Sequence, residues 1–167
     1  PLIMITKGLI KKSLKDIDKL YRNDISGVHS KHYAKLAHLE LCGWIEQAQD
    51  KIVEASSTRF IKETDNKREI RAIIKRNSNM DYSSNFKKML IEVIGRCGVE
   101  KLEKKVVSLN KDILESELLT LKNTRNAHAH THSKECTMTL DSPGTNLVRF
   151  ERIFTALKDY ERTIKSM

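Results

Sequence analysis

Residues 28–55, VHSKHYAKLAHLELCGWIEQAQDKIVEA, decide the fold. Ala37, Leu41, Trp44, Ile45, Ala48 and Ile52 recur at three- and four-residue intervals, the spacing that gathers side chains on one side of an α-helix. The run contains no proline and is far longer than a strand, so it reads as one long helix whose apolar stripe faces a core. Trp44, the chain's single tryptophan, belongs to that stripe and reads as core, not as a platform for stacking a base.

The sequence on either side repeats the pattern. Upstream, residues 3–21 carry Leu9, Ile10, Leu14, Ile17 and Leu20 as a stripe, with Lys11, Lys12 and Lys15 turned away, and residues 23–27 break the period. Downstream, Thr64 and Asp65 are placed to cap a third helix over NKREIRAIIKR, which turns Ile70, Ile73 and Ile74 inward and ends at the polar run NSNMDYSS. A fourth helix over 85–94 stops at Gly95 or Gly98, and a short fifth covers 99–107. A sixth, over 111–125, lines up Leu114, Leu118 and Leu121 in a row that leads to Arg125. Residues 133–144 read as a loop with a brief extended piece at 137–140, and a last helix over 146–167 closes the bundle with Leu147, Phe150, Ile153, Phe154, Leu157 and Tyr160.

Composition agrees with this reading. Two prolines and six glycines in 167 residues, with 32% charged side chains, favour long helices over strands and turns, and the length fits a single domain, residues 1–167, with one core. The fold class is therefore all-α, a helical bundle. Cys42, Cys97 and Cys136 are widely spaced and form no CxxC pair, which excludes a cysteine zinc site and a disulfide framework and fits the cytoplasm. The opening PLIMITKGLI is too short to span a bilayer and lacks the plan of a secretion signal, so no membrane partner is expected. A formal charge of +9 directs attention to polyanions, nucleic acid first.

The chemistry concentrates in LKNTRNAHAHTH, residues 121–132, where His128, His130 and His132 follow Arg125 and Asn126. Imidazole titrates near neutrality and guanidinium is a fixed cation; together they can move a proton and hold charge on a phosphoryl group. RNA brings its own nucleophile, the 2′-hydroxyl, so its cleavage requires neither a serine triad nor a metal. Zinc on the three histidines is the rival, but no cysteine or carboxylate of ligand spacing accompanies them beyond Glu135, and no metal or other cofactor is assigned. A plainer reading makes Arg125 and the histidines partners for the carbonyls at a helix C-terminus.

The stretch TRNAHAH resembles the R-N-x3-H form of the R-x4-6-H motif of the HEPN superfamily, and the order of apolar helix, motif, loop and closing helix is similar to the RiboL-PSP-HEPN-like branch. The resemblance implies a HEPN-like bundle with a long core helix and an extra helical insertion. It also implies a metal-independent endoribonuclease of a defence or toxin–antitoxin system, leaving 2′,3′-cyclic phosphate and 5′-hydroxyl ends. Arg125 and His130 would be the catalytic pair with Asn126 orienting them, two chains would pair so that their motifs share a cleft, and an antitoxin or other regulatory protein is a further expected partner. His132 stands where some relatives carry a modified tyrosine. A non-catalytic HEPN-type module that binds RNA or protein is the alternative.

Five helical positions rotate the chain by about 500°, which leaves Arg125 and His130 about 140° apart, whereas Arg125, His128 and His132 share a face. His130 is the expected base if the helix ends by Ala129, and His128 takes its place if it continues. Glu46, on the flank of the long helix, calls for a partner: either Arg125 or a motif histidine, since HEPN domains often carry an acidic residue here, or a surface lysine that it meets as a rim glutamate. Lys67, Arg68, Arg71, Lys75 and Arg76 form the densest basic face and are the expected RNA contacts; a solvated helix face is the other meaning of such a run.

Overall fold

The computed structural model describes residues 4–58, 61–129 and 140–167. They form six α-helices and one π-helical turn: α1 Gly8–Asn23, α2 Ser30–Thr58, α3 Thr64–Asn77, the π turn Tyr82–Phe86, α4 Lys87–Lys105, α5 Ser108–Ala129 and α6 Pro143–Ser166. No strand occurs among the described residues, and none of their helices is long and apolar enough to cross a membrane.

The 29 residues of α2 form the central element. Ala37, Leu41, Ile45, Ala48 and Ile52 are buried, as their spacing requires, while Trp44 is half-buried and packs edge-on against Phe150. The indole N–H donates to the Thr6 carbonyl at 3.1 Å, so the one polar atom of this large apolar group is satisfied. Helices α1 and α6 pack on α2 and on each other. Ion pairing of Lys11 with Glu151, together with the Ile5 N–H donating to Glu161 Oε1, makes α1 and α6 antiparallel. Helix α5 also runs antiparallel to α6, since Asn110 binds Asp159 and Glu117 binds Arg149. Helices α3 and α4 cover the C-terminal half of α2.

Several boundaries differ from expectation for identifiable reasons. The Asp-Ser-Pro-Gly run starts α6 instead of ending a loop: Ser142 accepts from the Thr145 N–H at 3.2 Å, and Pro143 takes a first-turn position where its missing N–H costs nothing. The α3 N-cap is Glu63, with no side-chain cap bond, and Thr64 and Asp65 lie in the first turn. Leu9 and Leu20 are 87% and 51% exposed, so the buried stripe of α1 narrows to Ile10, Leu14 and Ile17. Helix α1 begins at Gly8; Ile5, just before it, is buried in non-helical chain.

The run NSNMDYSS ends α3 as expected, yet it buries Met80 and Tyr82. Tyr82 opens the π turn and its hydroxyl lies 2.7 Å from Glu103 and 2.8 Å from the Tyr160 hydroxyl. Burial drives both phenols far above their ordinary range, so this contact is a neutral anchor fixing the turn to α4 and α6.

Gly95 interrupts α4 as its sequence position suggested. Its φ of 73° and ψ of 165° break the helix into the two pieces expected on either side. That conformation is essentially restricted to glycine. Gly95→Ala is expected to cost about 1–3 kcal/mol in urea unfolding although nothing lies within 4 Å of the added carbon, because the penalty is in the backbone.

Candidate active site at the end of α5

Leu114, Leu118 and Leu121 are buried along α5 and fix its rotation against the bundle. The next position of that row is Arg125, whose guanidinium donates from Nη1 to Glu46 Oε1 of α2. The Arg125 side chain is 38% exposed and that of Glu46 25%, so the pair is only partly buried. The sequence-predicted Arg125 and Glu46 are thus brought together across 79 positions. Nη1 is the only nitrogen of Arg125 with a partner among the described residues, which leaves Nε and Nη2 as donors for an incoming anion.

Other motif members are placed less fully. Asn126 is exposed, beside Arg125 on α5. His128 belongs to α5 by its backbone, and His130 and His132 lie outside the described residues, as do residues 133–139 of the expected loop. Helix α5 is described to Ala129, four residues past Arg125, near which the sequence pattern placed its end.

Beside the pair, α2 presents His38, Cys42 and Glu46 one turn apart. His38 is 2% exposed and was not recognised in the sequence, although its four-residue spacing from Cys42 and eight-residue spacing from Glu46 place it on the same side of the helix. Burial pushes the Cys42 thiol up to about 12, against the pull of Arg125 and with a further push from Glu46. A thiol so raised is a packing group and not a nucleophile. Among the described residues no group of three or more His, Cys, Asp or Glu is placed to hold a metal ion.

One turn before Arg125, Lys122 binds Asp81 at 2.8 Å. Burial raises the Asp81 carboxyl, but Lys122 and the Ser84 hydroxyl and N–H more than reverse this and bring it to about 2. Because the folded value lies below the ordinary 3.8, the pair stabilises the fold above that pH and the contribution is lost as pH falls toward 2. Asp81→Asn is expected to unfold about 1 kcal/mol more easily at pH 7, after allowing for solvent screening, with the difference from wild type vanishing by about pH 2 in denaturant titrations.

The basic face of α3 is exposed, and its arginines lie near carboxylates. Arg68 lies 3.4 Å from Asp65, Arg71 3.7 Å from Glu54 and Arg76 2.6 Å from Glu92. Lys67 and Lys75 are exposed and have no ion pair among the described residues. Glu46, Asp50 and Glu54 follow one another at four-residue steps on α2, so the ridge that holds Arg125 at one end faces Arg71 at the other. No family model, curated protein or solved structure matches the chain.

Proposed function

We propose that the chain is a metal-independent endoribonuclease of HEPN type, acting in the cytoplasm in a defence or toxin role under a regulatory partner, with two chains pairing to bring their motifs into one cleft. The observation that carries this reading is the Arg125–Glu46 pair: a part-exposed cation near the end of α5, held by a carboxylate and with N–H donors that have no partner among the described residues. The resemblance of TRNAHAH to the R-N-x3-H motif supplies the rest, and the charge of +9 favours RNA as the substrate.

In this mechanism His130, or His128 if the helix runs on, takes the proton of the 2′-hydroxyl as its oxygen attacks the adjacent phosphorus. Arg125 donates to the non-bridging oxygens, where negative charge accumulates in the five-coordinate transition state. The bond to the 5′-oxygen breaks, that oxygen receives a proton, and the products are a 2′,3′-cyclic phosphate and a 5′-hydroxyl. Glu46 acts through Arg125 as a positioning residue, and the resemblance gives Asn126 the part of orienting the motif.

Purified protein should cleave RNA in excess EDTA, and His130→Ala or Arg125→Ala should slow the cleavage by about a hundredfold or more. RNA binding without turnover would instead support the non-catalytic module. Activity retained in both variants would remove the motif from the chemistry.

A further inference from the structure

Between α2 and α3 lies a cleft of about 590 Å³, whose lining includes Gln47, Asp50, Lys51, Ile74, Lys75 and the Arg71–Glu54 ion pair. Its volume falls in the range of small-ligand sites. Ile74 is the only apolar side chain among its lining residues, so it suits neither a lipid nor the apolar face of a helix. Lys51 and Lys75 carry no ion pair among the described residues, in contrast to the arginines of α3. These are cations whose charge is available to a ligand.

The cleft lies one turn of α2 from the carboxylate that holds Arg125. Asp50 lines it and follows Glu46 by one turn of α2, close enough that the Glu46 charge acts on the Asp50 carboxyl. Asp50 is also held by the Ser78 hydroxyl at 2.8 Å, which ties the start of the α3–α4 connection to the same floor. From Glu46 to Glu54 the ridge runs eight residues, about 12 Å along the helix.

We propose that this cleft is a nucleotide subsite, which holds the RNA residue next to the scissile phosphate. Lys51 and Lys75 meet backbone phosphates, Gln47 offers both a donor and an acceptor to a base edge, and Ile74 supports a base face. This rests on the ribonuclease reading for its substrate and adds where the flanking nucleotide lies. It replaces the solvated face of α3 by a concave site built from two helices, and it recruits Lys51, which stands outside the basic run that the sequence made conspicuous.

The test uses the full chain and a fluorescent 2′-O-methyl oligoribonucleotide of mixed sequence, which cannot be cleaved by 2′-hydroxyl attack. Anisotropy titrations across a range of salt compare wild type with Lys51→Gln/Lys75→Gln, and with Lys12→Gln/Lys15→Gln, which removes the same charge from exposed positions on α1. The cleft variant should bind about five- to tenfold more weakly at 0.1 M salt and lose about 1.4 from the slope of log affinity against log salt, the value for two phosphate contacts on a single strand. The α1 variant should change affinity less than twofold. Equal weakening in both variants, no weakening in the cleft variant, or no binding by wild type overturns the subsite. Cleft-dependent binding by a wild type that fails to cleave ordinary RNA keeps the subsite and rejects the ribonuclease.

Discussion

Arg125→Ala is expected to lower RNA cleavage by about two to three orders of magnitude, the usual consequence of removing a donor aimed at developing oxyanion charge. Its effect on stability should be small. The Arg125–Glu46 pair is partly exposed, and such pairs contribute about 0.5–1 kcal/mol, or a few degrees of melting temperature. The separation of the two readouts is informative: a large kinetic loss with a nearly unchanged thermal transition assigns Arg125 to chemistry and not to the fold. Arg125→Lys keeps the charge but loses the planar fork, and should recover only part of the rate. Glu46→Gln should cost less, about tenfold, because the carboxylate only holds the guanidinium in place.

Phe150→Ala is expected to destabilise the fold by about 3–5 kcal/mol, measured by urea unfolding. Phe150 is fully buried, meets Trp44 edge-on at 5.0 Å between ring centroids and lies 5.9 Å from Phe154. It therefore joins α6 to the middle of α2, and these two helices share the most extensive contact of any pair among the described residues. Truncation leaves a cavity between α2 and α6, and a domain of this size has only about 5–15 kcal/mol in total. A loss below about 1 kcal/mol would mean that the site collapses freely and that α2 and α6 are held by other contacts.

The long elements were legible because their apolar residues repeat over many turns. Helix α2 could be read from Ala37 to Ile52, and the row from Leu114 to Leu121 set the rotation of α5 and so the direction of Arg125. Periodicity, however, tells which side of a helix is apolar and not how wide its neighbour is; Leu9 and Leu20 belong to the α1 stripe but lie beyond the reach of α2 and α6. Local chemistry can also be shared by two structures: Ser-Pro opens turns and opens helices, and at residues 142–143 it opens α6. Met80 and Tyr82 lay in a polar octet with no period to betray their burial, and the partner of Tyr82 is Tyr160, 78 positions away.

The site followed the same division. Arg125 and the carboxylate at Glu46 could be proposed as partners because each stands on a strongly patterned helix. Lys51 and Asp50 could not, since the cleft they line exists only after α3 folds back on α2, and the density of charge on α3 drew attention to arginines that prove to be occupied.

The chemical ends of the RNA fragments test the central claim most directly. RNA incubated with the purified chain in excess EDTA should yield 5′-hydroxyl ends and 2′,3′-cyclic phosphates, and the Arg125→Ala protein prepared in parallel should yield both about a hundredfold or more slowly. Fragments bearing 5′-phosphates and 3′-hydroxyls, or cleavage that disappears with EDTA, would contradict a metal-independent 2′-hydroxyl attack at Arg125.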